Sequence, residues 1–117
     1  MAVWLYAGLT EKFSEVSKNL INENELFVSP ILQLELQYLN EIDRIKVRPD
    51  EIISDLSHRV GLRVCDKSFT SIVEKSLDLE WTRDPLDRMI VANALLNQDI
   101  LLTKDSIILE HYPNAKW

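Results

Sequence analysis

The feature that most constrains this chain is a helix with its start written out, followed closely by a wholly apolar strand. Asp84-Pro85-Leu86-Asp87 opens it, Arg88 to Leu96 continues it, and Asp99-Ile100-Leu101-Leu102-Thr103-Lys104-Asp105 comes after a short turn. Asp84 suits the N-cap, Pro85 the first helical position, and Asp87 the place of a capping-box acid. Ile100-Leu101-Leu102 is too apolar for a half-exposed strand, which predicts a buried, parallel sheet. A helix and a buried strand with carboxylates at one mouth is how an open α/β sheet presents a site.

The direction of Asp87 decides what that mouth can do. At about 100° per residue, the apolar face of the helix carries Leu86, Ile90, Val91, Ala94 and Leu95, and Asp87 falls in its middle. Two readings fit. Asp87 is a first-turn cap favoured by the helix macrodipole, or it is an inward carboxylate that needs a neutralising partner.

The chain is expected to form a single domain over residues 1–117, large enough to bury most of its apolar surface. Its apolar and charged contents, 46% and 27%, are ordinary for a globular protein. No apolar run approaches the length of a membrane span and no signal peptide is visible, so no membrane association is expected. The single cysteine, Cys65, cannot form an internal disulfide and reads as a buried strand residue, which implies a reducing, cytoplasmic setting. A net charge of −6 argues against coating nucleic acid by bulk electrostatics. It leaves room for an enzyme whose acids gather round cations. His58 and His111 lack ligand spacing and read as surface residues. With only Gly8 and Gly61 there is no phosphate-binding glycine loop, and no nucleophile elbow is present.

Along the chain, Met1 to Leu5 is an apolar start whose period does not separate strand from helix. Thr10 to Ile21 predicts a helix with Phe13, Val16, Leu20 and Ile21 on one face, followed by a turn at Asn22 to Glu25. Leu26-Phe27-Val28 predicts a short strand, and Pro30 then opens a helix over Ile31 to Ile42. Its expected apolar stripe is Ile31, Leu34, Tyr38, Leu39 and Ile42, with Glu35 at the centre and no Lys or Arg a turn away. Capping does not account for Glu35, which lies beyond the first turn. Either it points inward, or the stripe rotates and leaves it at a solvated edge. Arg44, Lys46 and Arg48 read as a solvated turn. A helix from Pro49-Asp50 to Val60 ends at Gly61. Leu62 to Cys65 predicts a strand, Ser68 to Leu77 a helix, with Trp81 packed against the start of the next one. Ser106 to His111 predicts a last helix, before a closing Ala115-Lys116-Trp117. Helices alternating with short apolar strands make the class α/β with a parallel sheet.

Glu35, Asp87 and Asp105 are therefore three acids in unusual places: Glu35 follows the Phe27-Val28 strand, Asp87 starts a helix facing the core, and Asp105 follows the Ile100-Leu102 strand. Carboxylates that converge without a basic partner repel one another and need a cation. All-oxygen ligation suits Mg²⁺ or Mn²⁺, and such an ion can activate water and offset charge as a phosphodiester is cut. Thr103 and Lys104, with Asp84, are candidates for supporting roles.

Ser29 to Glu35, Asp84-Pro85-Leu86-Asp87-Arg88 with its alanine-containing helix, and Leu101-Leu102-Thr103-Lys104-Asp105 resemble the PIN-domain ribonucleases, particularly VapC-type toxins. The likeness runs in order over nearly the whole chain, down to the Tyr-Pro…Trp ending. It implies a PIN-like three-layer α/β/α architecture with a short, mostly parallel sheet. It also implies that Glu35, Asp87 and Asp105 match three of the family's four metal-binding acids. The expected activity is Mg²⁺- or Mn²⁺-dependent cleavage of RNA, inhibited by a cognate antitoxin, and a homodimer is expected only by this resemblance.

One departure stands out. The family begins with a strand ending in Asp-Thr or Asp-Ser and then a helix resembling Val3-Trp4-Leu5-Tyr6. The resemblance places Met1 inside or just after that motif, so the first strand and its acid are expected to be absent, with weaker metal binding as the consequence. Two functional classes compete: the toxin-type ribonuclease, and a non-catalytic PIN-like module that works by binding itself or an antitoxin. A receiver-type phosphoacceptor ranks last, because paired acids after its first strand are not visible.

Overall fold

The computed structural model describes residues 12–117. The readings placed on Met1 to Tyr6 and on the start of the first helix lie outside them. The chain separates into two compact units, the first reaching Cys65 and the second running from Asp66 to Trp117.

In the first unit the order is α1 (Glu15–Glu23), β1 (Phe27–Val28), α2 (Ile31–Glu41), α3 (Pro49–Val60) and β2 (Arg63–Val64). Helix α1 starts where Ser14 Oγ accepts from the Ser17 amide at 3.1 Å, an N-cap that satisfies one orphan donor. It runs two residues beyond the expected end, into the stretch read as a turn, because Asn24 Nδ2 donates to the Leu20 carbonyl at 3.0 Å and closes the last turn. Its predicted face is also adjusted: Phe13 and Ser17 are buried while Val16 is exposed. Helix α3 starts with Pro49 and ends as expected at Gly61, whose φ of 71° is left-handed. The Gly61 amide donates to the Ser57 carbonyl, the bond of an αL cap, and the Leu62 amide to the Leu56 carbonyl, and the left-handed backbone favours glycine at that position.

Strands β1 and β2 pair in parallel, Phe27 opposite Arg63 and Val28 opposite Val64. The two intervening helices make the crossover that a parallel pair requires. Their core is Val28, Leu36, Ile52, Leu56 and Leu62. Cys65 is free and buried, as expected, with its amide on the Val28 carbonyl at 2.8 Å.

The second unit holds α4 (Phe69–Ser76), α5 (Pro85–Leu95), β3 (Leu101–Leu102), α6 (Ser106–His111) and β4 (Ala115–Lys116). Strands β3 and β4 are again parallel, Leu101 opposite Ala115 and Leu102 opposite Lys116, joined through α6. The core gathers Ile72, Leu79, Val91, Ala92, Ala94, Ile108, Tyr112 and Ala115, with Trp81 and Met89 packed against it. Trp81 also stacks on His111, centroids 4.9 Å apart and planes within 6°. The short parallel strands alternating with helices give the α/β class that the apolar runs predict. No helix among the described residues is long and apolar enough to cross a membrane.

Candidate functional site

Glu35 lies on α2, and here the predicted apolar stripe is corrected. The helix buries Leu36, at 2% exposure, with Leu32 packed against the same core. Leu34, Tyr38 and Ile42 are 60%, 58% and 45% exposed and face away from it. Leucines at 32, 34, 36 and 39 supply apolar residues on two sides of the helix, and packing against β1 and α3 selects the row of Leu32 and Leu36. Glu35 is half-buried rather than core-facing. The core of its own unit takes Leu32 and Leu36 in place of Glu35.

Asp87 is likewise half-buried, at the third position of α5. The residues of α5 that are buried are Val91, Ala92, Asn93 and Ala94, one turn further on. Val91 and Ala94 were expected there; Leu86, Ile90 and Leu95 are only partly buried. The start of the helix is as its residues dictate. Asp84 Oδ1 accepts from the Leu86 amide at 2.8 Å and from the Asp87 amide at 3.3 Å, with Pro85 at the first position. The Arg88 Nε–H donates to the Thr82 carbonyl at 2.7 Å, and Thr82 Oγ1 accepts from the Asp84 amide at 3.3 Å. Loop and first turn are thus tied together on both sides of Asp84, which fixes the backbone from which Asp87 projects.

Asp105 follows the carboxyl end of β3 and is the N-cap of α6. Its Oδ1 accepts from the Ile107 and Ile108 amides at 2.9 and 3.1 Å, while its own amide donates to Thr103 Oγ1 at 3.1 Å. Its carboxylate is exposed. The sequence signal for this cap, an Asp directly before Ser-Ile-Ile-Leu, was available. Thr103 is half-buried and holds the turn, and Lys104 is exposed.

The carboxylate oxygens of Glu35, Asp87 and Asp105 are the hard donors that Mg²⁺ or Mn²⁺ prefers. Their number is another matter. Among the described residues no three His, Cys, Asp or Glu side chains are grouped closely enough to hold a metal ion, and one oxygen of Asp105 is already occupied by two amides.

Sequence reasoning missed three polar features of the second unit. Lys67 Nζ donates to the Asn93 carbonyl at 2.5 Å and to Asp99 Oδ2 at 2.6 Å. The Asn93 side chain is buried, and among the described residues Nδ2 lacks an acceptor. Tyr112, also buried, donates its hydroxyl to the Asp99 carbonyl at 2.5 Å. Burial raises the Tyr112 pKa, the side chain of Asn114 opposes this, and the charge of Asp99 adds to the rise.

Comparison with known proteins puts these features in context. A search of curated proteins finds no match. Among solved structures, the chain is similar to one in the crystal structure of VapBC2 from Rickettsia felis bound to a DNA fragment from their promoter. The TM-score is 0.63 at 21% identity, over 98% of this chain and 91% of that one. That likeness shows a shared fold. The model of the PIN-domain family matches residues 2–113. The chain belongs to the PIN-domain family.

Proposed function

We propose that this chain, acting as one domain over residues 1–117, is a VapC-like ribonuclease of toxin–antitoxin type that cleaves RNA phosphodiesters with Mg²⁺ or Mn²⁺. Glu35, Asp87 and Asp105 supply its carboxylates, with Asp84, Thr103 and Lys104 in support. The observation that carries the reading is placement. Within a chain matched by the PIN model, Asp105 sits just beyond the carboxyl end of a parallel strand, held there by its own cap. That end of an α/β sheet is where ligands bind. Asp87 stands in the first turn of α5, where the helix dipole accommodates an acidic side chain.

The bonds of Asp84 and Thr103 support these assignments. Asp84 fixes the first turn of α5 through two amides. Thr103 fixes the approach to Asp105. Lys104 is an exposed cation between them in sequence, suited to a phosphate oxygen. The cytoplasm is the expected setting.

An antitoxin is the proposed partner, supported by the VapBC2 complex to which the chain is similar. The exposed row Leu34, Tyr38 and Ile42 on α2 favours a second reading, a module that works by binding a partner chain or a copy of itself without catalysis. RNA cleavage with Mn²⁺ by the parent chain and by Asp87→Asn separates the two. The nuclease reading expects cleavage that the substitution removes. Equal cleavage by both proteins, or none by the parent, sinks it.

A further inference from the structure

The end of α4 and the start of α5 enclose a shallow cleft of about 440 Å³, lined by Ser76, Leu77, Arg83, Pro85, Arg88 and Met89. Two of its six lining residues are arginines and none is acidic. That is unusual in a chain of net charge −6. Neither guanidinium forms an ion pair among the described residues, where the other paired cations each face a carboxylate.

The two arginines are prepared differently. Arg88 is half-buried, and its Nε–H is committed to the Thr82 carbonyl at 2.7 Å. That bond holds the guanidinium plane in place and leaves its terminal N–H donors for the cleft. Arg83 is exposed and adaptable. The Ser76 hydroxyl is already spent on the Val73 carbonyl at 2.6 Å, so the arginines are the donors that matter. Leu77, Pro85 and Met89 complete the lining with an apolar strip, Leu77 at 65% exposure.

A pair of cations over an apolar strip suits a phosphate flanked by a sugar and a base. Arginine is the residue that grips phosphate oxygens in a fork. An acidic peptide would engage the guanidinium groups and leave the strip unused. Position points the same way. Pro85, Arg88 and Met89 lie three and four apart on one side of α5, and Asp87 is the residue before Arg88. A strand lying against Asp87 meets the cleft within one turn of that helix. A chain with six excess negative charges, two of them on Asp84 and Asp87 beside this spot, holds RNA only where local cations outweigh them.

We infer that the Arg83–Arg88 cleft is a seat for a phosphodiester of single-stranded RNA, next to the one that Asp87 would act on. This rests on the nuclease reading for its substrate and on the cleft itself for its residues.

The test is binding without cleavage. The full chain is titrated, in EDTA and at low salt, into a fluorescein-labelled single-stranded oligoribonucleotide of about twelve nucleotides, and anisotropy is read. Arg83→Gln, at an exposed position, should weaken binding about tenfold. It should also lower the slope of log K against log salt by about 0.7, the loss of one single-strand phosphate contact. Arg88→Lys, which keeps the charge and loses the fork, should fall between parent and Arg83→Gln. Arg44→Gln removes an exposed charge outside the cleft and should bind like the parent. Parent protein that does not bind the oligoribonucleotide, or an Arg83→Gln effect no larger than that of Arg44→Gln, overturns the inference. Failure here is distinguishable from failure of the nuclease reading. Cleavage that needs Asp87 but ignores Arg83 removes the cleft alone, and Arg83-dependent binding without Asp87-dependent cleavage removes the catalysis alone.

Discussion

Lys67 Nζ stands 2.6 Å from Asp99 Oδ2, across a gap of 32 residues, with only 16% of the lysine side chain exposed. The same ammonium donates to the Asn93 carbonyl at 2.5 Å, in the last turn of α5. One charge therefore does two things. It satisfies a carbonyl left over where the helix runs out, and it places a cation at the negative end of the helix dipole. Asp99 offsets the cost of burying that cation.

Removing the lysine head should then cost more than a surface ion pair does. Lys67→Met leaves Asp99 without its cation and the Asn93 carbonyl without its donor. Charge-assisted bonds of this kind contribute about 1.5–3 kcal/mol, against under about 1 kcal/mol for an exposed pair. Asp99→Asn, at a half-exposed carboxylate, should cost less than Lys67→Met. Urea unfolding of both single variants and the double variant gives the coupling. A Lys67→Met midpoint equal to that of the parent would show the pair to be ornamental.

Tyr112 couples the same corner to pH. Burial raises its pKa above the ordinary tyrosine value, with the Asp99 charge adding to the rise and the Asn114 side chain opposing it. The unfolded chain releases the phenol proton at about pH 10, while the folded chain holds it longer. Above that pH the folded state binds more protons than the unfolded one, so stability falls as pH rises. The contribution is complete below about pH 10 and is lost through the folded pKa. Stability measured between neutral and strongly alkaline pH should decline in the parent and decline less steeply in Tyr112→Phe. A parallel decline in the two proteins would assign the loss to other groups.

What the residues foretold divides by range. Asp84-Pro85, Gly61 and the Ser68 cap act within a turn of themselves, and the helix ends they specify are observed. The face of α2 was not legible, because Leu32, Leu34, Leu36 and Leu39 give the helix two apolar sides and only the partner layer selects between them. Strands two residues long carry no alternation to read. Lys67 meets Asp99 and Asn93 through contacts 32 and 26 residues apart, which no local pattern announces. The candidate acids show the same split. That Asp87 opens a helix and Asp105 follows a strand was legible; bringing Glu35 to them would be a long-range property, which spacing alone does not supply.

Asp105 allows its structural and chemical roles to be separated by one atom. Its Oδ1 caps α6 through the Ile107 and Ile108 amides, and asparagine caps a helix about as well as aspartate. Asp105→Asn should therefore leave the unfolding midpoint within about 0.5 kcal/mol of the parent, and Asp105→Ala should cost about 1 kcal/mol. If Asp105 is one of the acids of the proposed nuclease, both variants lose RNA cleavage in Mn²⁺ although only one loses stability. Asp105→Asn with full cleavage would confine the residue to capping.

Among the described residues, Asn93 is a buried polar residue whose burial is left uncompensated at one atom. It is 6% exposed in the middle of the most buried stretch of α5, and Nδ2 has no acceptor among the described residues. Its backbone carbonyl is separately engaged by Lys67, so a side-chain substitution leaves that bond in place. A buried amide donor without a partner costs about 1–3 kcal/mol, and leucine has nearly the same shape without the donor. Asn93→Leu should leave the fold as stable as the parent or more so, by up to about 2 kcal/mol, whereas Asn93→Ala opens a cavity and should destabilise it. Thermal and urea unfolding of the pair decide the matter. A loss in Asn93→Leu as large as that in Asn93→Ala would mean that the amide has a partner in solution, and that its burial is compensated after all.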